Sequence, residues 1–479
     1  MAQWITYLND KIWGLPLVIL VLISGVYYSV RMKFPQFRRF RTFVKASSKG
    51  DKNFGKGLNQ LQSFFLTAAR TIGVGNIAGM ATGLHFGGPG AVFWLWILAL
   101  FGSATVMVEG ILAQTYKKEV HGEFRGGPAY YMEKGFKYPG LGKVFAYFYA
   151  GVGVVAVTFL MPGVQTFNIA QGLELAFGIK MIIGGLILSA FLGTVIIGGL
   201  KRIGEVVQRL SPFAALAYLI IALIVIFANY SKIPSTFSLI IRSAFGWDAV
   251  LGAVVGQAII WGIKRGVFAN EIGVGTSAIT SASSDVNHPV TQGMIGGLSV
   301  FVGTFFVSTT SALMILITNS YNVVTETGQK VVEYLPGVEY GNEYVMRAID
   351  TVFPGFGAPV IALAVFSFSA VALLAYYLYA ESNLMFIVGD RKGPVWLLKI
   401  LFIISIFIGS ITSADTVWTM GDLAHGLMAW INVITLLIIG HQAVKIFKDF
   451  EKQEKDNRTP LFDPEKLDLD NVSSRWQKK

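Results

Sequence analysis

The stretch from 67 to 83 reads TAARTIGVGNIAGMATG, and it places four glycines, a cation and an amide inside a long apolar, helix-like region. Glycine lowers the cost of unwinding, and unwound backbone is tolerated inside a bilayer only where its N–H and C=O groups face protein, a cavity or a ligand. Helix N-termini attract anions and free carbonyls attract cations, and many secondary transporters hold an amino acid and its coupling ion in this way. The stretch therefore predicts an interrupted transmembrane helix that binds a substrate and an ion.

A second explanation of these glycines stays open. Gly75, Gly79 and Gly83 are spaced at i, i+4 and i+8, as on a small-residue face that lets two membrane helices pack closely. That spacing does not account for Gly73 or Asn76 in the same turns. An interrupted helix is the favoured interpretation for this reason.

A second stretch of the same character runs from 252 to 273. It places Lys264, Arg265 and Glu271 within eight residues, which is costly at bilayer depth unless the charges are paired or hydrated. Lys264 and Glu271 lie about two helical turns apart, so partners are expected from another segment or through unwinding between Gly262 and Gly266. A charge network that only locks the bundle together is the alternative function of these residues.

Composition sets the class of protein to which these stretches belong. The 479-residue chain is 53% hydrophobic and only 14% charged, with a mean hydropathy of +0.58, which indicates an integral, all-α membrane protein. Its net charge of +11 comes from Lys and Arg grouped in loops, where they are expected to set topology and to contact anionic lipid rather than DNA. The absence of Cys excludes disulfides and thiolate metal sites. No cleavable signal pattern is found before the first apolar run.

Apolar segments long enough to cross a bilayer predict eleven transmembrane helices. Most Lys and Arg lie on one side of them, so the positive-inside rule predicts a multi-pass protein of the cell (plasma) membrane, with the N-terminus outside and the C-terminus cytoplasmic. The polar connection from 319 to 353 is predicted to be exterior, and the charged tail after Asp449 to be a solvated, flexible end. The predicted segments are 13–30, 60–85, 90–115, 144–168, 179–199, 210–229, 249–283, 290–318, 354–387, 395–412 and 420–443.

Without the first span, ten remain and divide into two sets of five. Each set opens with one of the interrupted helices, and because five is odd the second set must be inverted relative to the first. Paired interrupted helices at matching positions of inverted halves are the best sequence indication of a transporter site. The predicted division is an N-terminal helix with a basic cytoplasmic loop (1–58), a first five-helix repeat (59–230), an inverted second repeat (231–445) and a cytoplasmic charged tail (446–479).

Local sequence supports this pairing. The tetrapeptide Ile-Gly-Val-Gly occurs at 72–75 and again at 272–275, although it is a weak signal because Gly and Val are abundant in the chain. Phe268 and Asn270, one apolar residue and one amide beside the second expected break, are predicted to contact the substrate.

Four motifs, in order along the chain, resemble the alanine or glycine:cation symporter family. Two of them, TIGVGNIAG and KRGVFANE, are together strongly specific. The resemblance covers the apolar spans from end to end. It implies a sodium-coupled amino-acid carrier with the five-plus-five inverted-repeat fold of the leucine transporter and no organic cofactor. The motifs are Thr71–Gly79, Gly87–Ala91, Gly126–Tyr131 and Lys264–Glu271.

The resemblance also implies roles for single residues. The N–H groups of Val74 and Gly75 would face the substrate carboxylate, and the Thr71 carbonyl or hydroxyl would face its ammonium. The Gln165 amide would hold the carboxylate or, as readily, make an interhelical hydrogen bond. Trp261 would cap a pocket small enough for alanine or glycine. The implied substrate-binding residues are Thr71, Gly73, Val74, Gly75, Asn76, Gln165, Trp261, Gly262, Phe268 and Asn270.

For the coupling ion, the resemblance implies sodium held by the carbonyls of Ala69 and Ile72. The family usually adds a Ser-Thr pair about ten residues before a Tyr-x-Glu, but this sequence has Val371 and Ala372 at those positions. The nearest hydroxyls lie about one turn earlier, which displaces them by roughly 5 Å. The candidate sodium ligands are therefore Ala69, Ile72, Ser367 and Ser369, and coupling to protons stays open.

Arg70 is a further departure, since many members have a small residue there. A fixed cation at this position could replace a bound ion, or pair with Glu109, Glu271 or Glu381.

The leading hypothesis is a secondary active transporter that imports a small neutral amino acid by sodium symport with alternating access. The alternative is a proton-coupled or ion-independent amino-acid carrier of the same fold, and a non-transporting sensor is the third candidate. The expected partners are a small neutral amino acid, a sodium ion or proton, and the lipid bilayer. The five His are scattered without metal or catalytic spacing, so an enzyme is not expected.

Overall fold

The structure is a computed structural model, and it describes residues 2–48, 73–120, 122–248, 250–325, 327–456 and 459–476. Helices form most of this part of the chain, as the composition predicts. In the first half they are α1 (Ala2–Ile12), α2 (Leu15–Arg31), α3 (Pro35–Arg38), α4 (Phe40–Ser48), α5 (Ala78–Gly87), α6 (Gly90–Tyr116), α7 (Pro128–Gly135), α8 (Pro139–Val155), α9 (Pro162–Phe177), α10 (Met181–Ile197) and α11 (Gly199–Ala228).

The second half continues in the same manner. Its helices are α12 (Ile233–Ala244), α13 (Val255–Asn270), α14 (Thr276–Ala282), α15 (Pro289–Phe301), α16 (Thr309–Ile317), α17 (Asn342–Asp350), α18 (Gly357–Val388), α19 (Lys392–Ser410), α20 (Ala414–Ile439) and α21 (His441–Lys455). Two wider π-helical turns, Ala156–Leu160 and Val302–Ser308, connect α8 to α9 and α15 to α16. Short 3-10 turns lie at Val74–Asn76, Tyr230–Lys232, Leu251–Val254 and Ser474–Trp476.

Two small β-hairpins correct the all-α expectation in detail. Strands β1 (Lys118–Val120) and β2 (Glu123–Arg125) pair antiparallel after α6, with Lys118 opposite Arg125. Strands β3 (Asn322–Val324) and β4 (Lys330–Glu333) pair within the long connection after α16. With α17, they make that polar connection a folded element, because Val323 of β3 is buried and a two-stranded hairpin needs such packing to be stable.

The helices are long and apolar enough for a multi-span membrane protein. Among the described residues, eight helices are long and apolar enough to cross a membrane. A ninth span is formed if Leu216–Ala228 and Tyr230–Ala244, which are bent by 79° relative to each other, cross together. The first half of the predicted span 60–85, residues 60–72, lies outside the described residues. Eleven spans in two inverted repeats therefore stay a prediction.

Large apolar side chains point outward along several of these helices. Ile182 and Leu186 on α10, Phe227 on α11 and Ile400 on α19 are examples of exposed residues that a soluble protein would bury. Exposed apolar surface of this extent indicates contact with lipid. The interior is instead rich in small residues and in polar groups that hydrogen-bond one another.

Helix α6 is the most deeply buried long helix, and glycines bring its neighbours close. A Cβ atom on Gly110 would lie 3.0 Å from the Cα of Gly293 in α15. On another face, a Cβ on Gly262 of α13 would lie 2.5 Å from the carbonyl oxygen of Ala91. Membrane helices associate through such close backbone approach because lipid offers no hydrophobic driving force between them.

The C-terminal tail is docked, and the expectation of a solvated, flexible end is wrong for residues 459–476. The backbone N–H of Ser473 donates to the Thr115 carbonyl at 2.9 Å, and the Trp476 indole N–H donates to the Gln114 carbonyl at 2.8 Å. Arg475 forms an ion pair with Asp285 at 3.0 Å. Apolar residues spaced along this charged segment bury themselves against the protein, which a count of charges alone does not show.

Lys117 lies under the docked tail at the end of α6. Its ammonium donates to the Ser284 carbonyl at 2.7 Å and lies 3.8 Å from the centre of the Phe124 ring and 5.8 Å from that of Trp476. Burial lowers the pKa of Lys117 to about 7, a net shift that Asp285 opposes and Arg475 reinforces.

Replacing the Trp476 anchor should release the tail. Trp476 is only 8% exposed, and truncating a buried Trp to Ala costs about 3–5 kcal/mol, more than a short docked segment can lose. In inside-out membrane vesicles we expect trypsin to cleave Trp476→Ala after Lys466 much faster than the parent protein. Trp247→Ala, at an indole that is 66% exposed, is the control.

Equal cleavage of Trp476→Ala and Trp247→Ala would contradict docking of the tail. The same experiment in sealed right-side-out vesicles reports on topology. Protection of the tail there agrees with a cytoplasmic C-terminus, and cleavage would contradict it.

Candidate functional site

The described part of the first predicted interrupted helix begins with a non-helical segment. Gly73 is extended, with φ −117° and ψ −171°, the 3-10 turn Val74–Asn76 follows, and Ile77 has the non-helical angles φ −102° and ψ −82° before α5 begins. We call Gly73–Ile77 the first interruption. The expected ligands Ala69, Thr71 and Ile72, and Arg70 with them, lie outside the described residues.

The glycines after this break also pack closely, so both explanations of the motif hold. A Cβ on Gly75 would lie 3.0 Å from the Cα of Ala269, and one on Gly83 would lie 3.0 Å from Cγ of Arg265. A Cβ on Gly79 would lie 3.5 Å from the Trp418 ring. The same glycines therefore serve two purposes. They allow the non-helical backbone, and their lack of side chains lets that backbone approach α13 closely.

The second interruption lies at Glu271–Gly275, between α13 and α14. Glu271, Gly273 and Gly275 have φ of +52°, +76° and +91°, a conformation that favours glycine at the last two positions. Unwinding between Gly262 and Gly266 does not occur, because α13 is continuous from Val255 to Asn270. All four residues of the second Ile-Gly-Val-Gly, 272–275, lie in the second interruption. Of the first copy, 72–75, the described residues 73–75 lie in the first interruption.

The two interrupted helices run antiparallel and meet at their breaks. Gly75 lies against Ala269, Gly83 against Arg265, and a Cβ on Gly87 would lie 2.9 Å from Cβ of Trp261. The first interruption therefore contacts the last turn of α13, directly before the second interruption. Phe268 belongs to this contact, since its ring also lies 3.0 Å from the Cβ position of Gly75.

A π-helical turn holds both predicted amides. Ser308 donates to the side-chain oxygen of Asn76, and the Asn270 amide donates to Thr304 at 2.8 Å and to the Gly266 carbonyl at 3.2 Å. π-Helical turns are frequent at functional sites because they redirect side chains that a regular helix would align otherwise. Sequence reasoning missed Thr304 and Ser308, although two hydroxyls spaced by four in an apolar span were a usable signal.

Freed carbonyls at the second interruption already have donors. The Asn432 amide donates to Gly273 at 2.9 Å and to the Glu109 carboxylate at 2.8 Å, and the Tyr149 hydroxyl donates to Val274 at 2.8 Å. Ser277 also donates to Glu109, and Thr276 donates to Glu271. The carbonyls of Gly273 and Val274 thus receive hydrogen bonds from side chains, because an unpaired polar group in low-dielectric surroundings costs free energy.

The charges before the second interruption form a buried charge cluster of Lys264, Arg265 and Asp422. The Lys264 ammonium lies 2.8 Å from Asp422, and Arg265 binds the other oxygen of the same carboxylate. The partner of both cations comes from another segment, α20. This was one of the two alternatives predicted from the sequence. Sequence reasoning did not name Asp422, although an acid inside the span 420–443 was the obvious counter-charge.

Aromatic rings enclose the Arg265 guanidinium. Its carbon lies 5.2 Å from the ring centre of Trp261 and 5.1 Å from those of Phe268 and Trp418. These distances are within the range of cation–π attraction, which is stronger in a desolvated site. The cluster therefore ties α13 to α20 directly beside Phe268.

The remaining predicted substrate residues are dispersed around this centre. The Gln165 amide donates to the Tyr376 hydroxyl at 3.4 Å, and its buried oxygen has no hydrogen-bond partner among the described residues. Trp261 is partly exposed and stacks on Phe86 at 4.6 Å, two turns from Phe268. Gly262 packs against the backbone of α6, which by itself explains a glycine there.

The two candidate hydroxyls for sodium differ. Ser367 donates to the Leu363 carbonyl at 2.9 Å within its own helix and is partly exposed. Ser369 is fully buried, and its hydroxyl has no partner in the described part of the chain. All three acids proposed for Arg70 have other partners. Glu381 pairs with Arg125 at 2.9 Å, and Glu109 and Glu271 accept the hydrogen bonds from Asn432 and Thr276 described above.

Fold and site together define a polytopic membrane protein in whose interior the non-helical segment Gly73–Ile77 contacts the last turn of α13, directly before the second interruption. The model of the sodium:alanine symporter family matches residues 1–464, and the chain belongs to that family.

Several relatives are similar over nearly their full length. The chain is 39% identical to a sodium/proton-dependent alanine carrier protein of Bacillus sp. (strain PS3), over 89% of this chain and 97% of the relative. It is 36% identical to the amino-acid carrier protein AlsT of Bacillus subtilis (strain 168), over 95% and 93%. It is 34% identical to the sodium/alanine symporter AgcS of Methanococcus maripaludis, over 94% and 98%.

Removing the Asp422 carboxylate should destabilise the bundle. Asp422→Asn leaves Lys264 and Arg265 buried without a counter-charge, and breaking one side of a buried pair costs about 3–5 kcal/mol. We expect a clearly lower melting temperature in detergent, measured by intrinsic fluorescence. Asp415→Asn, at an exposed acid of the same helix, is the matched control. Identical melting temperatures for the two variants would show that the cluster does not stabilise the fold.

Proposed function

We propose that this protein is a secondary active carrier that imports a small neutral amino acid, of the alanine or glycine type, together with sodium by alternating access. The observation that carries the proposal is the contact of the first interruption with the last turn of α13. Membership of a symporter family supports the carrier class, and the names of two relatives support alanine as the substrate.

The substrate carboxylate is proposed to bind at the first interruption. The first N–H groups of a helical segment lack partners within that segment, and here they belong to Val74 and Gly75. A helix N-terminus also favours negative charge. Gln165 on α9 is proposed to donate an amide N–H group to the carboxylate, and Thr71 is assigned to the ammonium group.

Phe268 is proposed to limit the size of the substrate side chain. Its ring contacts the Cβ position of Gly75, lies 5.3 Å from the Trp418 ring centre and 4.4 Å from that of His425. A ring held from three sides cannot move aside cheaply, because interiors are close-packed. This favours alanine or glycine over larger amino acids.

For sodium, we propose the carbonyls of Ala69 and Ile72 with the Ser369 hydroxyl. Sodium is a hard cation that accepts neutral oxygen ligands. Ser369 is preferred to Ser367 because it is buried and unpaired among the described residues, whereas Ser367 is bonded within its own helix.

Alternating access is proposed to open one side of the interruptions at a time. The buried charge cluster joins α13 to α20 before the second interruption, and the Arg125–Glu381 pair joins β2 to α18 at the end of the molecule where α14 finishes. Opening either side must separate its ion pair, so each pair contributes to the barrier on its side.

The proposal includes the topology predicted from the sequence. It has eleven spans, with the leucine-transporter-like repeats 59–230 and 231–445, the N-terminus outside and the C-terminus cytoplasmic. Antiparallel packing of the two interrupted helices supports inverted repeats, and the vesicle experiment with the tail distinguishes the two orientations.

Proton coupling is the second candidate, and His425 is the observation that favours it. This buried side chain lies against Phe268, its Nδ1 bonds the Gly421 carbonyl at 2.7 Å, and its Nε2 has no partner among the described residues. The charged groups that act on it are Glu271, Asp422 and Arg265. The name of the Bacillus sp. relative includes both ions.

Uptake by proteoliposomes decides between the two ions. With an inward sodium gradient we expect labelled alanine to accumulate above its external concentration, because downhill sodium entry supplies the work. Liposomes without protein, and proteoliposomes made leaky to sodium, are the controls. Accumulation driven only by a proton gradient would favour the second candidate, and no accumulation under any imposed ion gradient would contradict symport.

A pair of histidine variants sharpens this comparison. If protons couple through His425, His425→Asn loses proton-driven uptake, whereas His441→Asn, at an exposed histidine, keeps it. If sodium alone couples, both variants retain sodium-driven accumulation.

A further inference from the structure

A groove with a basic lining lies at one end of the molecule, between the end of α2 and helix α21. It encloses ≈ 750 Å³, part of it open to solvent. We call it the basic groove, and its lining residues are Arg31, Met32, Lys33, Lys448, Glu451, Lys452 and Lys455.

Local structure explains why these side chains converge. Helix α2 ends at Arg31, Met32 is buried, and Lys33 has the unusual φ of +59°, which turns the chain sharply at the end of the helix. On α21, Lys448, Lys452 and Lys455 are spaced by four and three residues and therefore share one face.

The opposite face of α21 fixes its orientation. Ile446, Phe447 and Phe450 are buried against the protein. The lysines consequently point away from the bundle and toward the end of α2.

The basic groove has more positive charge than its protein partners neutralise. Its one acid, Glu451, is already engaged by Arg38 at 2.6 Å and Arg39 at 3.0 Å. No ion pair is formed, within the described ranges, by any of the five cations of the lining. Like charges held this close repel, so an anion that enters the groove is favoured electrostatically.

The position of the groove indicates that the anion belongs to a lipid. Arg31 is the last residue of a candidate membrane span, Trp4–Arg31, so the groove lies at headgroup depth. Ile23 and Val30, 53% and 55% exposed, lie on the same helix and lead away from the groove along the bilayer. A free phosphate would use the cations but not this apolar surface.

We propose that the basic groove binds the headgroup phosphate of an anionic glycerophospholipid, whose acyl chains lie along the exposed face of α2. Arg31 and Lys33 contact the phosphate from α2 and its turn, and Lys448 and Lys452 contact it from α21. The lipid thereby bridges the N-terminal span and the amphipathic helix that precedes the tail. Basic clusters at the end of a membrane span are suited to such headgroups.

The test uses the full-length protein in detergent, with lipid retention measured by native mass spectrometry. The groove variant is Arg31→Gln/Lys448→Gln/Lys452→Gln, and the control is Arg391→Gln/Lys392→Gln/Lys399→Gln, which removes three charges at the start of α19. Each cation contributes about fivefold, so we expect roughly 100-fold weaker retention of phosphatidylglycerol by the groove variant, which lacks three of them. The control should retain it as the parent does.

Further arms separate the sources of the anion. Phosphatidylcholine should be retained equally weakly by all three proteins, and inorganic phosphate should not compete with phosphatidylglycerol. Equal loss in the control variant, or full competition by inorganic phosphate, would overturn the proposal. The melting temperature in phosphatidylcholine nanodiscs checks that the groove variant is folded, and Lys452→Gln alone provides a milder second variant.

Discussion

Backbone groups freed inside a bilayer must find a partner, and the rest of this structure depends on that constraint. Water is absent at this depth, so every unsatisfied N–H or C=O group costs several kcal/mol. At the second interruption, Asn432 and Tyr149 supply donors to Gly273 and Val274. Residues from α8 and α20 are thus committed to holding a non-helical segment in place, and a segment maintained at such a cost is expected to have a function.

Close packing follows from the same constraint. The broken backbone at Gly75 reaches Ala269 only because glycine lacks a side chain, and the same holds for Gly83 beside Arg265. Charges in the interior cost less free energy where a counter-charge is buried beside them, as Asp422 is beside Lys264. Interruption, packing face and ion pair are therefore three parts of one arrangement.

The elements that could be predicted from sequence are those with a local cause. Glycines at 73 and 75 and at 273 and 275 lower the cost of breaking a helix wherever they occur, so both interruptions could be located. Long apolar runs likewise predicted helices such as α6. Unwinding between Gly262 and Gly266 was one of two alternatives for the second stretch, and it does not occur, because these glycines pack against α6 in a continuous α13.

What could not be predicted depends on contacts between distant segments. Ser308 finds Asn76 only because a π-helical turn aims it there, and Trp476 anchors the tail only because the Gln114 carbonyl at the end of α6 accepts its N–H group. The four-residue spacing of Thr304 and Ser308 indicates paired hydroxyls but does not identify Asn76 as a partner, and nothing local in the sequence indicates the Trp476 contact. The buried charge cluster was predicted in part. The sequence identified Lys264 and Arg265 as charges that need a partner, and the structure identifies Asp422 as that partner.

The central claim is that the two interruptions together form the amino-acid site. Calorimetric titration of the purified protein with alanine in sodium buffer tests it on Gly75→Ala, whose added methyl group meets Ala269 and Phe268 at 3.0 Å, and on Gly151→Ala, whose methyl group meets nothing within 4 Å. With both variants equally folded, the account predicts alanine binding weakened at least roughly tenfold in Gly75→Ala alone. Unchanged alanine affinity in Gly75→Ala would contradict it.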